Sequence, residues 1–213
     1  MAIRRLLLLL RNLSTPFVLG ACSSLLYHPS DKTFFEPRQF KLEAKELKLG
    51  PLHAWQFESK AEHKLGLILF FHGNAENLTS HFASLNWAPE AGFDYLIFDY
   101  RGYGQSQKRS PSPASTVEDG KRVLEWGLSQ KLPLFLYGQS LGGAVLLRSL
   151  EELETSHTAE ELKNIRAVVL ESTFASYQDA GQSVLARSWI TWPFQWLSYF
   201  LLSDEWAPKL SPH

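Results

Sequence analysis

The chain has 213 residues, enough for one sizeable domain, and 45% of them are apolar, as a packed core requires. A net charge of −1 supplies no basic field for a nucleic acid. A single cysteine excludes an internal disulfide and a cysteine-rich zinc site, and the seven histidines show no H-x-x-x-H spacing, so neither a metal nor a cofactor is expected.

Residues 1–22 read as an export leader. Arg4 and Arg5 form a charged start, Leu6 to Leu10 are apolar, and Pro16 to Ala21 lead into Cys22. Leu19-Gly20-Ala21-Cys22 resembles the cleavage and lipidation site of bacterial lipoproteins, which gives the lone cysteine a role as lipid anchor. The expected location is then the cell envelope or periplasmic face, exported and membrane-anchored. Arg11 and Asn12 interrupt the apolar run. An uncleaved membrane anchor and a soluble lead-in therefore stay open, the first disfavoured by the cost of a charge within the bilayer.

Residues 23–39 form an extended lead-in, and a domain is expected over 40–213. Phe40 to Phe57 alternates around Gly50-Pro51, which predicts an antiparallel hairpin. Leu67 to Phe71 is a continuous apolar run, as in a strand buried on both faces, and it ends in His72-Gly73-Asn74-Ala75. Leu78 to Ala91 has helical spacing and ends near Gly92. Asp94 to Phe98 is a second buried strand, followed by the turn-rich Asp99-Tyr100-Arg101-Gly102-Tyr103-Gly104-Gln105-Ser106. Ser115 is expected to cap a helix over Thr116 to Ser129.

Leu134 to Tyr137 is the next apolar run, and Gly138-Gln139-Ser140-Leu141-Gly142 joins it to a helical run from Ala144 to Leu153. Strand, G-x-S-x-G and helix in that order form a nucleophile elbow. The bend is sharp enough to push the Ser140 hydroxyl above the sheet edge. Gly138 and Gly142 let strand and helix approach, and the free N–H groups of the helix start favour an anion there. Glu151 to Lys163 is a charged connection, and Ala167 to Leu170 is a further buried strand. Strands alternating with helices predict a mostly parallel sheet with crossover helices. Residues 182–202 differ: Trp189, Trp192 and Trp196 stand with Phe194, Tyr199 and Phe200 around Pro193. This stretch is a candidate aromatic cap that could line a substrate pocket, pack on the core or touch a bilayer surface.

His72-Gly73-Asn74-Ala75, the DYRGYGQS turn, GQSLGG and Leu170-Glu171-Ser172-Thr173-Phe174 occur in the order and spacing of the α/β-hydrolase superfamily. The chain resembles its compact, often membrane-anchored serine hydrolases over roughly Phe40 to Leu210. The resemblance implies an α/β-hydrolase fold with an antiparallel N-terminal hairpin and helices on both faces of the sheet. It implies Ser140 as nucleophile and the backbone N–H groups of Asn74 and Leu141 as the oxyanion hole. It implies a small acyl substrate (an ester, thioester or amide), no cofactor and no nucleic acid. His72, before the oxyanion glycine, is expected to brace the loop rather than act as base.

The family places an acid and then a histidine after the nucleophile. After Ser140 only His157 and His213 remain, and neither stands where the family has its histidine. In the family the region near Asp204 to Pro208 precedes two further strands carrying the acid and the histidine, so the domain is expected to be incomplete, truncated before its last strands. Glu171 ends a strand where some hydrolases carry an alternative acid. Two functions stay open: a serine hydrolase with an incomplete triad, and a non-catalytic, membrane-tethered binding protein on a hydrolase scaffold.

Overall fold

The computed structural model describes residues 27–209. The leader with Cys22, and His213, lie outside the described residues.

Among the described residues there are eight strands: β1 (His28–Pro29), β2 (Ala44–Leu49), β3 (Leu52–Phe57), β4 (Gly66–Phe71), β5 (Ala75–Glu76), β6 (Phe93–Phe98), β7 (Leu134–Gln139) and β8 (Ile165–Glu171). Six of them build one sheet in the order β2-β3-β6-β4-β7-β8. β2 with β3 and β3 with β6 are antiparallel, and the other pairs are parallel. β1 and β5 form a separate parallel bridge that ties the lead-in to the loop after β4. The hairpin turns at Gly50, whose φ of 65° suits a residue without a β-carbon.

The longer helices are α2 (Pro113–Ser129), α3 (Leu141–Glu154) and α5 (Tyr177–Leu185). Short turns α1 (Leu78–His81), α4 (Ala159–Leu162) and α6 (Ser198–Leu201) connect them. Alternation along β4 sends Leu67, Leu69 and Phe71 to one face, where they join Val123, Leu124, Val145 and Leu146 of α2 and α3. Ile68 and Phe70 face the other way and join Trp55, Phe57, Phe82, Tyr95 and Ile97. The sheet thus has a core on each face, which is why β4 reads as an unbroken apolar run.

Two expected boundaries are corrected. The helix expected over 78–91 is a single α turn followed by a 3-10 turn, Phe82–Leu85. Gly92, at φ 94°, turns the chain into β6 instead of ending a long helix. The second helix is capped by Ser112, not Ser115. Ser112 accepts from the Ser115 N–H, and Ser115 returns the bond as the N3 partner of a capping box. Pro113 takes the first helical position, which needs no N–H donor.

β8 is paired with β7 on one side only among the described residues. Val168, Val169 and Leu170 are 39%, 49% and 39% exposed, unlike the inner strands. The aromatic stretch after α5 forms a 3-10 helix, Trp192–Leu197, that packs on α5. Trp189 is 86% exposed, and Trp192 and Trp196 are more than half exposed, so these indoles are surface and not core. No described helix is long and apolar enough to cross a membrane.

Candidate active site

Ser140 stands between β7 and α3 with φ 52° and ψ −118°, a conformation rarely adopted by a residue with a β-carbon. Its neighbours hold it there. Its N–H donates to the Glu171 carbonyl at 2.8 Å, and its own carbonyl accepts from the Gly143 N–H at 3.0 Å. The Thr173 hydroxyl donates to the same carbonyl at 2.9 Å. Thr173 was not singled out in the sequence; its signal was its place just after the strand that neighbours the elbow. The side chain of Ser140 is half-buried.

The glycines of the elbow are required by contact. A β-carbon on Gly142 would lie 2.0 Å from the Phe71 carbonyl oxygen, and one on Gly138 would lie 2.6 Å from Gly143 Cα. The start of α3 therefore rests directly on the end of β4, and places Leu141 at the first helical position beside the His72–Ala75 loop.

That loop is braced from several sides. Asn74 accepts at its side-chain oxygen from the His28 N–H at 3.1 Å and the Tyr103 hydroxyl at 2.9 Å. The Tyr100 hydroxyl donates to the His72 carbonyl at 3.2 Å. Asp99, fully buried, accepts from the Leu78 N–H at 2.7 Å and so ties β6 to α1. The DYRGYGQS turn is thus a scaffold for the His72–Ala75 loop. His72 is wholly buried, its Nδ1 2.8 Å from the Gly73 carbonyl. Burial above all, with help from the neighbouring His81, pushes its pKa down to about 4, against a smaller opposing pull from Asp99. A neutral, enclosed imidazole fits the bracing role expected of it.

Among the remaining candidates, Glu171 ends β8 with its carboxylate accepting from the Tyr137 hydroxyl and, at 3.1 Å, from the Gln139 side chain. Among the described residues it is engaged by neutral donors and not by an imidazole. His157 follows α3 and caps its far end, its N–H donating to the Leu153 carbonyl at 3.0 Å. The length of α3 puts it ~20 Å from Ser140. His81 is the histidine that the structure brings to the elbow and that sequence reasoning passed over. A β-carbon on Gly73 would lie 3.6 Å from His81 Cε1 and 3.7 Å from Ser140 Cβ, so both side chains border the same space. It lies nine residues after His72, on the turn that follows the His72–Ala75 loop, and no linear motif marks it. No group of three metal-ligating side chains occurs among the described residues.

A family model described as "Serine aminopeptidase, S33" matches residues 62–209. The chain is 34% identical over 175 residues to YfhR of Escherichia coli (strain K12), which covers 78% of this chain and 58% of that protein. It is 25% identical over 201 residues to a lysophosphatidylserine lipase, ABHD12 of Danio rerio, covering 85% of this chain and 49% of that protein. The chain thus spans about half the length of these relatives. Among solved structures, the esterase Pf2001 of Pyrococcus furiosus superposes with a TM-score of 0.59 at 18% identity, covering 84% of this chain and 70% of that one. This likeness shows the α/β-hydrolase fold.

Proposed function

Because the chain belongs to the serine aminopeptidase (S33) family of α/β hydrolases, we propose that Ser140 is the nucleophile of a serine hydrolase acting on a small acyl substrate. The observation that carries the reading is the backbone of Ser140 at φ 52° and ψ −118°, opposite the braced His72–Ala75 loop. A strained serine at a helix start, its backbone fixed by two main-chain hydrogen bonds and one from the Thr173 hydroxyl, has little use other than to present its own hydroxyl.

In this reading Oγ attacks the carbonyl carbon of an ester, thioester or amide. The C=O electron pair moves to oxygen, where the N–H groups of Asn74 and Leu141 and the start of α3 receive the charge. Each such donor is worth about 3 kcal/mol of transition-state stabilisation in comparable sites. Collapse expels the leaving group and leaves an acyl-serine, which water then cleaves. The likeness to a lysophosphatidylserine lipase supports a carboxylic ester as the acyl donor. The exposed indoles of Trp189, Trp192 and Trp196 are the apolar surface proposed to receive an acyl chain. Attachment to the cell envelope through Cys22 is part of the proposal and rests on the leader's residue pattern.

The experiment is acylation by a short-chain p-nitrophenyl ester. We expect a burst of nitrophenol with an acyl adduct on Ser140, absent from Ser140→Ala. A second reading, a non-catalytic binding protein, is favoured by one observation: among the described residues the Glu171 carboxylate is engaged by Tyr137 and Gln139 and by no imidazole. An equal, adduct-free signal from both proteins would support that reading and remove the first.

A further inference from the structure

We infer that His81 is the imidazole that takes the proton from Ser140 in this chain, an inference that rests on Ser140 being the nucleophile. Three observations carry it. His81 and Ser140 border the space left by the missing side chain of Gly73, each within 3.7 Å of where a β-carbon would sit. A single bridging water in that space can carry the hydroxyl proton from Ser140 to the ring. Second, His81 Nε2 lies 2.9 Å from the Ala75 carbonyl oxygen. That oxygen can only accept, so Nε2 carries the hydrogen and Nδ1 of the neutral ring keeps its lone pair. A backbone carbonyl thus sets the tautomer, the part a carboxylate plays in a Ser-His-Asp triad. Third, the ring is held in place by stacking on the buried His72, with centroids 5.1 Å apart and planes 22° from parallel. His72 stays neutral, so His81 can gain a proton without a second charge beside it.

The step balances with a fluorophosphonate. Oγ bonds to phosphorus, the P–F bond breaks, and fluoride leaves with the electron pair. The hydroxyl proton passes to Nδ1 of His81 and then to water. With an ester the same proton is returned to the departing alkoxide.

The test is the second-order rate of fluorophosphonate labelling of Ser140 in the full chain, with His81→Gln, His81→Ala and Ser140→Ala beside the wild type. Gln keeps a donor for the Ala75 carbonyl, and far-UV circular dichroism checks the fold of each variant. We expect labelling about 100-fold slower in both His81 variants, the low end of what a lost general base costs. Added imidazole should restore the rate of His81→Ala and leave Ser140→Ala unlabelled. Wild-type rates in both His81 variants would overturn the inference and leave Ser140 standing. So would a loss that imidazole does not rescue, since that marks a structural role. Absence of any wild-type label on Ser140 would overturn both this inference and the reading beneath it.

Discussion

His72 shows how one residue's burial becomes a property of the fold. Its pKa of about 4 in the folded chain lies below the ordinary value of 6.5, because the charged ring would be cut off from water. In the unfolded chain the ring protonates on the way down from pH 6.5, while in the folded chain it does not until pH 4. Between those values the unfolded state binds more protons, so stability rises with pH and is lost as pH falls. The loss from pH 7.5 to 5 is about 2 kcal/mol from this group. Urea titrations at the two pH values should show it, and His72→Asn should reduce it; equal pH slopes for the two proteins would contradict the account. Ser140 itself was legible, because G-x-S-x-G between an apolar run and a helical run admits few other conformations. His81 was not, since its role depends on a loop folding back over Gly73, and nothing in a linear pattern encodes that return.

At the scale of elements, contact distances explain the tight join of α3 to β4. Gly142→Ala would drive a methyl against the Phe71 carbonyl oxygen, a rigid backbone atom. We expect destabilisation of about 3 kcal/mol, the upper part of the overpacking range, measured by denaturant midpoint. A change below ~0.5 kcal/mol would contradict the packing described, since changes of that size are ordinary for surface sites. α2 is tied to the DYRGYGQS turn by a buried pair: Arg101 donates from its backbone N–H at 2.8 Å and from Nε at 2.6 Å to Asp119. Asp119→Ala should cost about 2–3 kcal/mol, because it strips the backbone N–H and Nε of Arg101 of their acceptor while Glu118, 2.6 Å from Nη2, still balances the charge. Strands β4, β6 and β7 were readable as apolar runs because each is covered on both faces. The 78–91 segment misled because its apolar spacing serves 3-10 and irregular turns as well as a helix. Tertiary contacts of Phe82 and Leu85 with Phe57 and Tyr95, not local periodicity, decide its form.

For the whole molecule, the outer face of β8 and the aromatic stretch beyond α5 are two runs of exposed apolar side chains among the described residues. A seven-residue strand with no second strand partner among the described residues and a half-exposed Val169 is a template for pairing with another chain. Light scattering should show concentration-dependent association, and Val169→Lys should weaken it. A wild type that scatters as a monomer throughout would contradict this. The central claim concerns Ser140, and peptide mapping after fluorophosphonate treatment of the full chain tests it most directly. The account predicts a single adduct on the tryptic peptide from Leu132 to Arg148, at Ser140, absent from Ser140→Ala and lost when the chain is unfolded in urea before treatment. No adduct, or one that forms equally well on the unfolded chain, would contradict it.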